Sequence, residues 1–223
     1  MADPRERRGH QGRPPLTPVT PDLEPLRQAV TEVFDAKYHA RERALANCRK
    51  VIRCSANAIR ALHRAETAEA NALMDEAGSL LADAVEALGP HPDVGNAGFI
   101  HDAAKEYAEA KLTGALAAGS PLPLPADLGV EPAAYLNGLG EAVGELRRRM
   151  LDLLRAGDLP SAETTLEAMD TVVEFLATID YPDGMTGGLR RTTDVARALV
   201  ERSRSDLTTT VVQERLRKEL QGR

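Results

Sequence analysis

Tryptophan is absent from this 223-residue chain, and only three phenylalanines and four tyrosines are present. Proteins that hold single strands by stacking bases on aromatic platforms need clusters of such rings on strands. Phe34, Phe99, Phe175, Tyr38, Tyr107, Tyr135 and Tyr181 form no such cluster in the sequence. Cysteine is almost as scarce. Cys48 and Cys54 fall in a helical stretch, separated by about 9 Å of rise and pointing to different faces, so they cannot bridge each other. No CxxC pair and no Cys/His spacing suits zinc, which leaves buried thiols in a reducing compartment. No run approaches the roughly 18 uninterrupted apolar residues of a membrane span. The Pro- and Arg-rich N-terminus lacks the apolar segment of a secretory signal. A soluble, cytoplasmic protein with no membrane partner is therefore expected. The net charge of −6 argues against a generally basic nucleic-acid binder, although a total hides how charge is distributed.

What is present is helical periodicity. Residues 1–21 hold five prolines, four arginines and almost no large apolar side chains, so they cannot offset the entropy of ordering and are predicted to be a disordered tail. Residues 22–223 form the predicted α-helical domain. The stretch 26–65 contains neither Pro nor Gly and carries Leu45, Cys48, Ile52, Ser55, Ile59 and Leu62 in alternating steps of three and four, which predicts one helix of about 40 residues. At about 60 Å that helix is longer than a compact bundle of this size needs, so it either breaks or packs against another subunit. A second helix fits 67–88, with Leu73, Leu80, Leu81, Val85 and Leu88, and stops at Gly89-Pro90. A third fits 97–117, followed by an extended connector through Pro121, Pro123 and Pro125. A fourth starts near Pro132, with a seam of Leu136, Leu139, Val143, Leu146, Met150 and Leu153. Asp158 is placed to cap a fifth helix that has Pro160 in its first turn. A turn at 180–184 precedes a last long helix from about Thr186, with an interruption expected where Thr208, Thr209 and Thr210 cluster. No turn-bounded period-2 pattern appears. The fold class is all-α: a six- or seven-helix antiparallel bundle with a long first helix, in a single domain.

Charge is segregated along this frame. Residues 41–64 have a net charge of +6, with Arg49, Arg53, Arg60 and Arg64 on one helix face. Residues 65–109 have a net charge of −9. Two readings of the basic face stay open: a surface paired with the acidic second helix, or a phosphate-contacting stripe. Asp102, Glu106 and Glu109 share one face of the third helix, and Glu141 and Glu145 one face of the fourth. These acids are either solvated helix faces, partly neutralised by Arg147 and Arg148, or a convergent cluster. Crowded carboxylates repel one another, and a divalent cation relieves that repulsion. The histidines have no HxxxH or HExxH spacing, and Gly184, Gly187 and Gly188 suit a helix-initiating turn better than a phosphate loop.

Two motifs now stand together. The segment Tyr135-Leu136-Asn137-Gly138-Leu139-Gly140-Glu141-Ala142-Val143-Gly144-Glu145-Leu146 resembles a helix signature of the translin superfamily. Lys105-Glu106-Tyr107-Ala108-Glu109-Ala110 resembles the EYxEA motif of translin-associated factor X, the catalytic branch of that superfamily. The likeness extends over roughly residues 25–215. It implies a seven-helix bundle that assembles into closed oligomers, typically octamers, and binds single-stranded RNA or DNA. The catalytic branch cleaves single-stranded RNA with magnesium. Matched position by position, Glu106, Glu109, Glu141 and Glu145 become the implied catalytic residues and ligands of Mg2+ or Mn2+. Glu141 stands where factor X carries Asp and where the non-catalytic branch carries an apolar residue, which sets this chain with the catalytic branch. Arg49, Arg53, Arg60 and Arg64 fit the nucleic-acid-contacting region by position. The expectation is a magnesium-dependent endoribonuclease acting inside a homo-oligomeric shell. The alternatives are a non-catalytic RNA- or DNA-binding oligomer and a purely structural helical protein.

Overall fold

The computed structural model describes residues 21–95 and 98–221. Residues 1–20, which make up nearly all of the predicted tail, lie outside them. The chain divides into two compact units at Ala36/Lys37, inside the first helix and beyond the boundary at 21/22 expected from composition. In the first unit, the described residues form a helical segment whose Leu26, Val30, Val33 and Phe34 are exposed. Everything below concerns the second unit.

Six long helices form: α1 (Glu24–His63), α2 (Thr67–Leu88), α4 (Gly98–Ala118), α6 (Pro132–Ala156), α7 (Leu159–Ala177) and α9 (Leu189–Gln221). Three single turns interleave with them: α3 (Pro92–Gly95), α5 (Pro125–Leu128) and α8 (Asp183–Thr186). Among the described residues there is no strand, and no helix is long and apolar enough to cross a membrane. The helix ends follow local chemistry. Ala65 takes the left-handed conformation (φ 60°), so that its N–H donates to the Leu62 carbonyl and that of Glu66 to the Ala61 carbonyl, closing α1. The Asp158 carboxylate accepts from the Ser161 N–H to start α7. Gly157 (φ 78°) closes α6.

Three sequence expectations need correction. The buried seam of α1 runs through Ala44, Cys48, Val51, Ser55 and Ala58, so Val51 rather than Ile52 faces inward, and Ile52 is exposed. Val85 of α2 is likewise exposed, and Met74 takes a core position. The helix α9 passes through Thr208–Thr210 without interruption. Each threonine hydroxyl donates to the carbonyl four residues back (Arg204, Ser205 and Asp206), a helical back-bond that satisfies the polar group in place.

The central element is α6, which packs against α4, α7 and α9. Its first half buries Ala134, Tyr135, Asn137, Gly138, Leu139, Gly140, Ala142 and Val143, nearly all round the helix. Two glycines make this possible. A methyl group at Gly138 would lie 2.7 Å from the Lys105 carbonyl oxygen and 2.9 Å from the Glu109 amide nitrogen, so α6 lies directly on the α4 backbone there. A methyl group at Gly140 would lie 2.5 Å from Cγ2 of Thr192 on α9 and 3.3 Å from Cδ1 of Leu176 on α7. Just before them, buried Asn137 donates to the carbonyls of Ala133 and Thr186 and accepts from the Thr192 hydroxyl. Gly138→Ala is expected to lower unfolding stability by about 1–3 kcal/mol, the usual cost of overpacking a core contact. Urea unfolding followed by circular dichroism measures it, and a wild-type midpoint would show that the two backbones are not in tight contact.

Candidate metal centre

The backbone contact at Gly138 sets one turn of α4 beside the next turn of α6. On that turn of α4, Tyr107 points into the core, its hydroxyl against Gly78 of α2. The flanking Glu106 and Glu109 are thereby turned the other way, towards Glu141 of α6. One carboxylate oxygen from each of Glu106, Glu109 and Glu141 lies within 4.8 Å of the others, and all three residues are half-buried.

The remaining predicted residues sit elsewhere. Glu145, one turn beyond Glu141, has its Oε2 2.5 Å from His63 Nε2, with the His63 side chain only 8% exposed. It bears on Glu109 through charge but is not one of the three converging groups. Asp102 is exposed and contributes only its charge, to Glu106. Arg147, expected to neutralise part of the acidic face, instead donates to Asp206 and Ser203 of α9. The four predicted arginines, Arg49, Arg53 and Arg60 of α1 and Arg64 just past its end, are all exposed. Arg64 pairs with Glu66 and Glu69, and Arg60 donates to Asn57 at 2.5 Å. Arg49 and Arg53 form no ion pair among the described residues. The acidic second helix thus engages only the end of the basic face.

Two residues that the sequence had not assigned complete the centre: His63 and Lys105. Lys105 Nζ lies 2.7 Å from Glu141 Oε1 and 3.8 Å from Glu106 Oε1. Burial works against its charge, but the hydrogen bond it donates to Glu141 and the charges of Glu141, Glu106 and Glu109 outweigh it and hold the ammonium above the usual lysine range. Burial pushes Glu109 up to about 8, reinforced by the charges of Glu106, Glu141 and Glu145 and opposed by Lys105. Glu106 is raised as well, by burial first, with Lys105 opposing and Glu141 and Asp102 adding to it. Burial and like charge together make this a place where negative charge is in excess.

No family model matches the chain. A stretch of 86 residues is 33% identical to an uncharacterized protein of Methanocaldococcus jannaschii, covering 39% of this chain and 38% of that protein, so the chain matches little more than a third of that relative. Solved structures match far more of it. AfC3PO in complex with duplex RNA is 35% identical, with a TM-score of 0.76 over 86% of this chain and 97% of that one. C3PO, the component 3 promoter of RISC, is of the translin family. This chain belongs to the translin superfamily. A crystal structure of AfC3PO superposes equally well (TM-score 0.75, 35% identity), and apo-NeC3PO shares the fold at 20% identity and a TM-score of 0.70. Within this translin-superfamily chain, the YLNGLG segment is the tight-packing stretch of α6, and the EYxEA segment is the turn of α4 on which it lies.

The raised Glu109 has a consequence for the metal-free protein. Its carboxyl binds a proton more tightly folded (about 8) than at its ordinary value of 4.5, so between those values the folded state holds the extra proton. The contribution of Glu109 to stability is therefore complete below about pH 4.5 and is lost as pH rises towards 8. In chelator, Glu109→Gln is expected to flatten the fall in melting temperature over that window. An unchanged pH slope in the variant would show that Glu109 is ordinarily ionised.

Proposed function

We propose that this chain is a nucleic-acid-binding protein of the translin type that cleaves single-stranded RNA with Mg2+ or Mn2+, as a homo-oligomeric shell of octameric form. The observation that carries the reading is the convergence of Glu106, Glu109 and Glu141. Hard carboxylate oxygens from two helices are the donor set for a hard divalent cation, which takes oxygen ligands and leaves positions open for water and phosphate. A cation held there supplies the positive charge that polarises a phosphodiester and activates water. The carboxylates hold and orient that charge, and the packed α4–α6 contact keeps them in place. Glu145, the fourth implied ligand, is engaged by His63. AfC3PO, solved with duplex RNA, supports RNA as the bound class. Exposed Arg49 and Arg53 are free to contact phosphates, a sequence-tolerant mode in keeping with the scarcity of aromatics.

One observation favours a second reading. Lys105 already pairs with two members of the cluster, which suits a structural ion-pair group in a protein that binds RNA without cutting it. Cleavage assays on a single-stranded RNA and on its duplex separate the two. The first reading expects cutting of the single strand with Mg2+, none in chelator, and losses of about 100-fold or more in Glu109→Ala and Glu141→Ala. Cutting that survives both substitutions contradicts it, whereas tight binding with no turnover selects the second. Arg49→Ala with Arg53→Ala is expected to weaken binding evenly across sequences and to reduce its salt slope by about one per lost phosphate contact.

A further inference from the structure

A cation is already built into the acidic cluster. Of the basic groups near it, Arg147 is committed to Asp206 and His63 to Glu145. Further along α4, Lys111 lies 3.9 Å from Asp75 of α2. Lys105 alone, among the described residues, sets its charge against the converging carboxylates, holding Glu141 at 2.7 Å with Glu106 at 3.8 Å. Its side chain is 22% exposed, so the ammonium stands at the mouth of the cluster with an outlet to solvent.

The carboxylate spacing fits this arrangement. The converging oxygens lie within 4.8 Å of one another, where ligands on neighbouring corners of a Mg2+ octahedron stand about 3 Å apart for bonds near 2.1 Å. A divalent ion held by Glu141 draws on a carboxylate whose Oε1 already accepts from Lys105 Nζ at 2.7 Å. Ammonium and metal therefore compete for the same carboxylate, and two cations do not share it at low cost.

We propose that Lys105 is a displaceable internal counter-ion: it neutralises the cluster in the metal-free protein and leaves Glu141 when a divalent cation enters. The inference rests on the reading of Glu106, Glu109 and Glu141 as a divalent site. Its effect is to let the bundle fold without metal and to raise the metal concentration at which the site fills. Lys105 acts through Glu141, as a positioning residue.

The test is titration of the full chain with Mg2+ or Mn2+ alone, by calorimetry and by the metal-induced gain in melting temperature, for wild type, Lys105→Met and Lys111→Met. Lys105→Met is expected to bind about tenfold or more tightly, the effect on an ionised group of a charge at such a distance. It is also expected to start from a lower metal-free melting temperature and gain more on metal addition, while Lys111→Met follows wild type. Binding by the folded Lys105→Met chain that equals or falls below wild type overturns the role of Lys105 and leaves the metal site standing. Equal tightening in Lys111→Met reduces the effect to overall charge and also overturns it. Absence of binding in every chain removes the site and the counter-ion together. Should Lys105→Met not fold, Lys105→Gln, which keeps a hydrogen-bond donor for Glu141, carries the same comparison.

Discussion

The arrangement of this protein depends on a contact in which two helix backbones touch. At Gly138 there is no room for a Cβ, because the carbonyl of Lys105 and the amide of Glu109 occupy that space. Those two atoms belong to the same turn of α4 that carries Glu106 and Glu109. The contact that sets the helix spacing therefore also sets the distance from these carboxylates to Glu141, one turn along α6. Gly140 repeats the device on the opposite side, so that α6 is held between α4 on one flank and α7 and α9 on the other. Asn137 fixes the rotation of the helix between them through three buried hydrogen bonds.

Close packing of this kind forces acids together, and the chain manages the resulting repulsion locally. Burial and neighbouring charge favour the protonated form of Glu109. Lys105 answers the charge of Glu141 and Glu106, and His63 takes up Glu145. The cluster is thus balanced by groups within reach of each member and not by the arginines next to it in sequence. Arg147 lies on the flank of α6 that meets α9 and serves that contact instead.

Much of this was legible in the sequence because the relevant signals are local. Gly89-Pro90 marks the end of α2, Asp158 with Pro160 the start of α7, and Gly157 the end of α6, each by chemistry within a few residues. The single turns α3, α5 and α8 were missed because four residues are too few to show a period. On α1 the predicted stripe holds at Cys48, Ser55 and Ile59 but fails at Ile52, since buried alanines such as Ala44 and Ala58 weigh little in a hydrophobic pattern beside it. Spacing placed Glu106 with Glu109 and Glu141 with Glu145, but only the tertiary contact decides that Glu141 joins the first pair and Glu145 does not. The partner of Glu145, His63, is 82 positions away, a distance that no local pattern can bridge. Lys105 was visible as the one lysine in an acidic segment, yet a solvated lysine has the same sequence signature.

The claim at the centre of this account is that two helices touching at Gly138 assemble a divalent-cation site from Glu106, Glu109 and Glu141. The most direct measurement is the anomalous difference density of crystals of the full chain grown with Mn2+. The account predicts one peak bounded by oxygens of those three carboxylates, at hard-cation bond lengths of about 2.1 Å. Contradiction would be a fully ordered site with no peak at high Mn2+, or a peak ligated by residues outside that group.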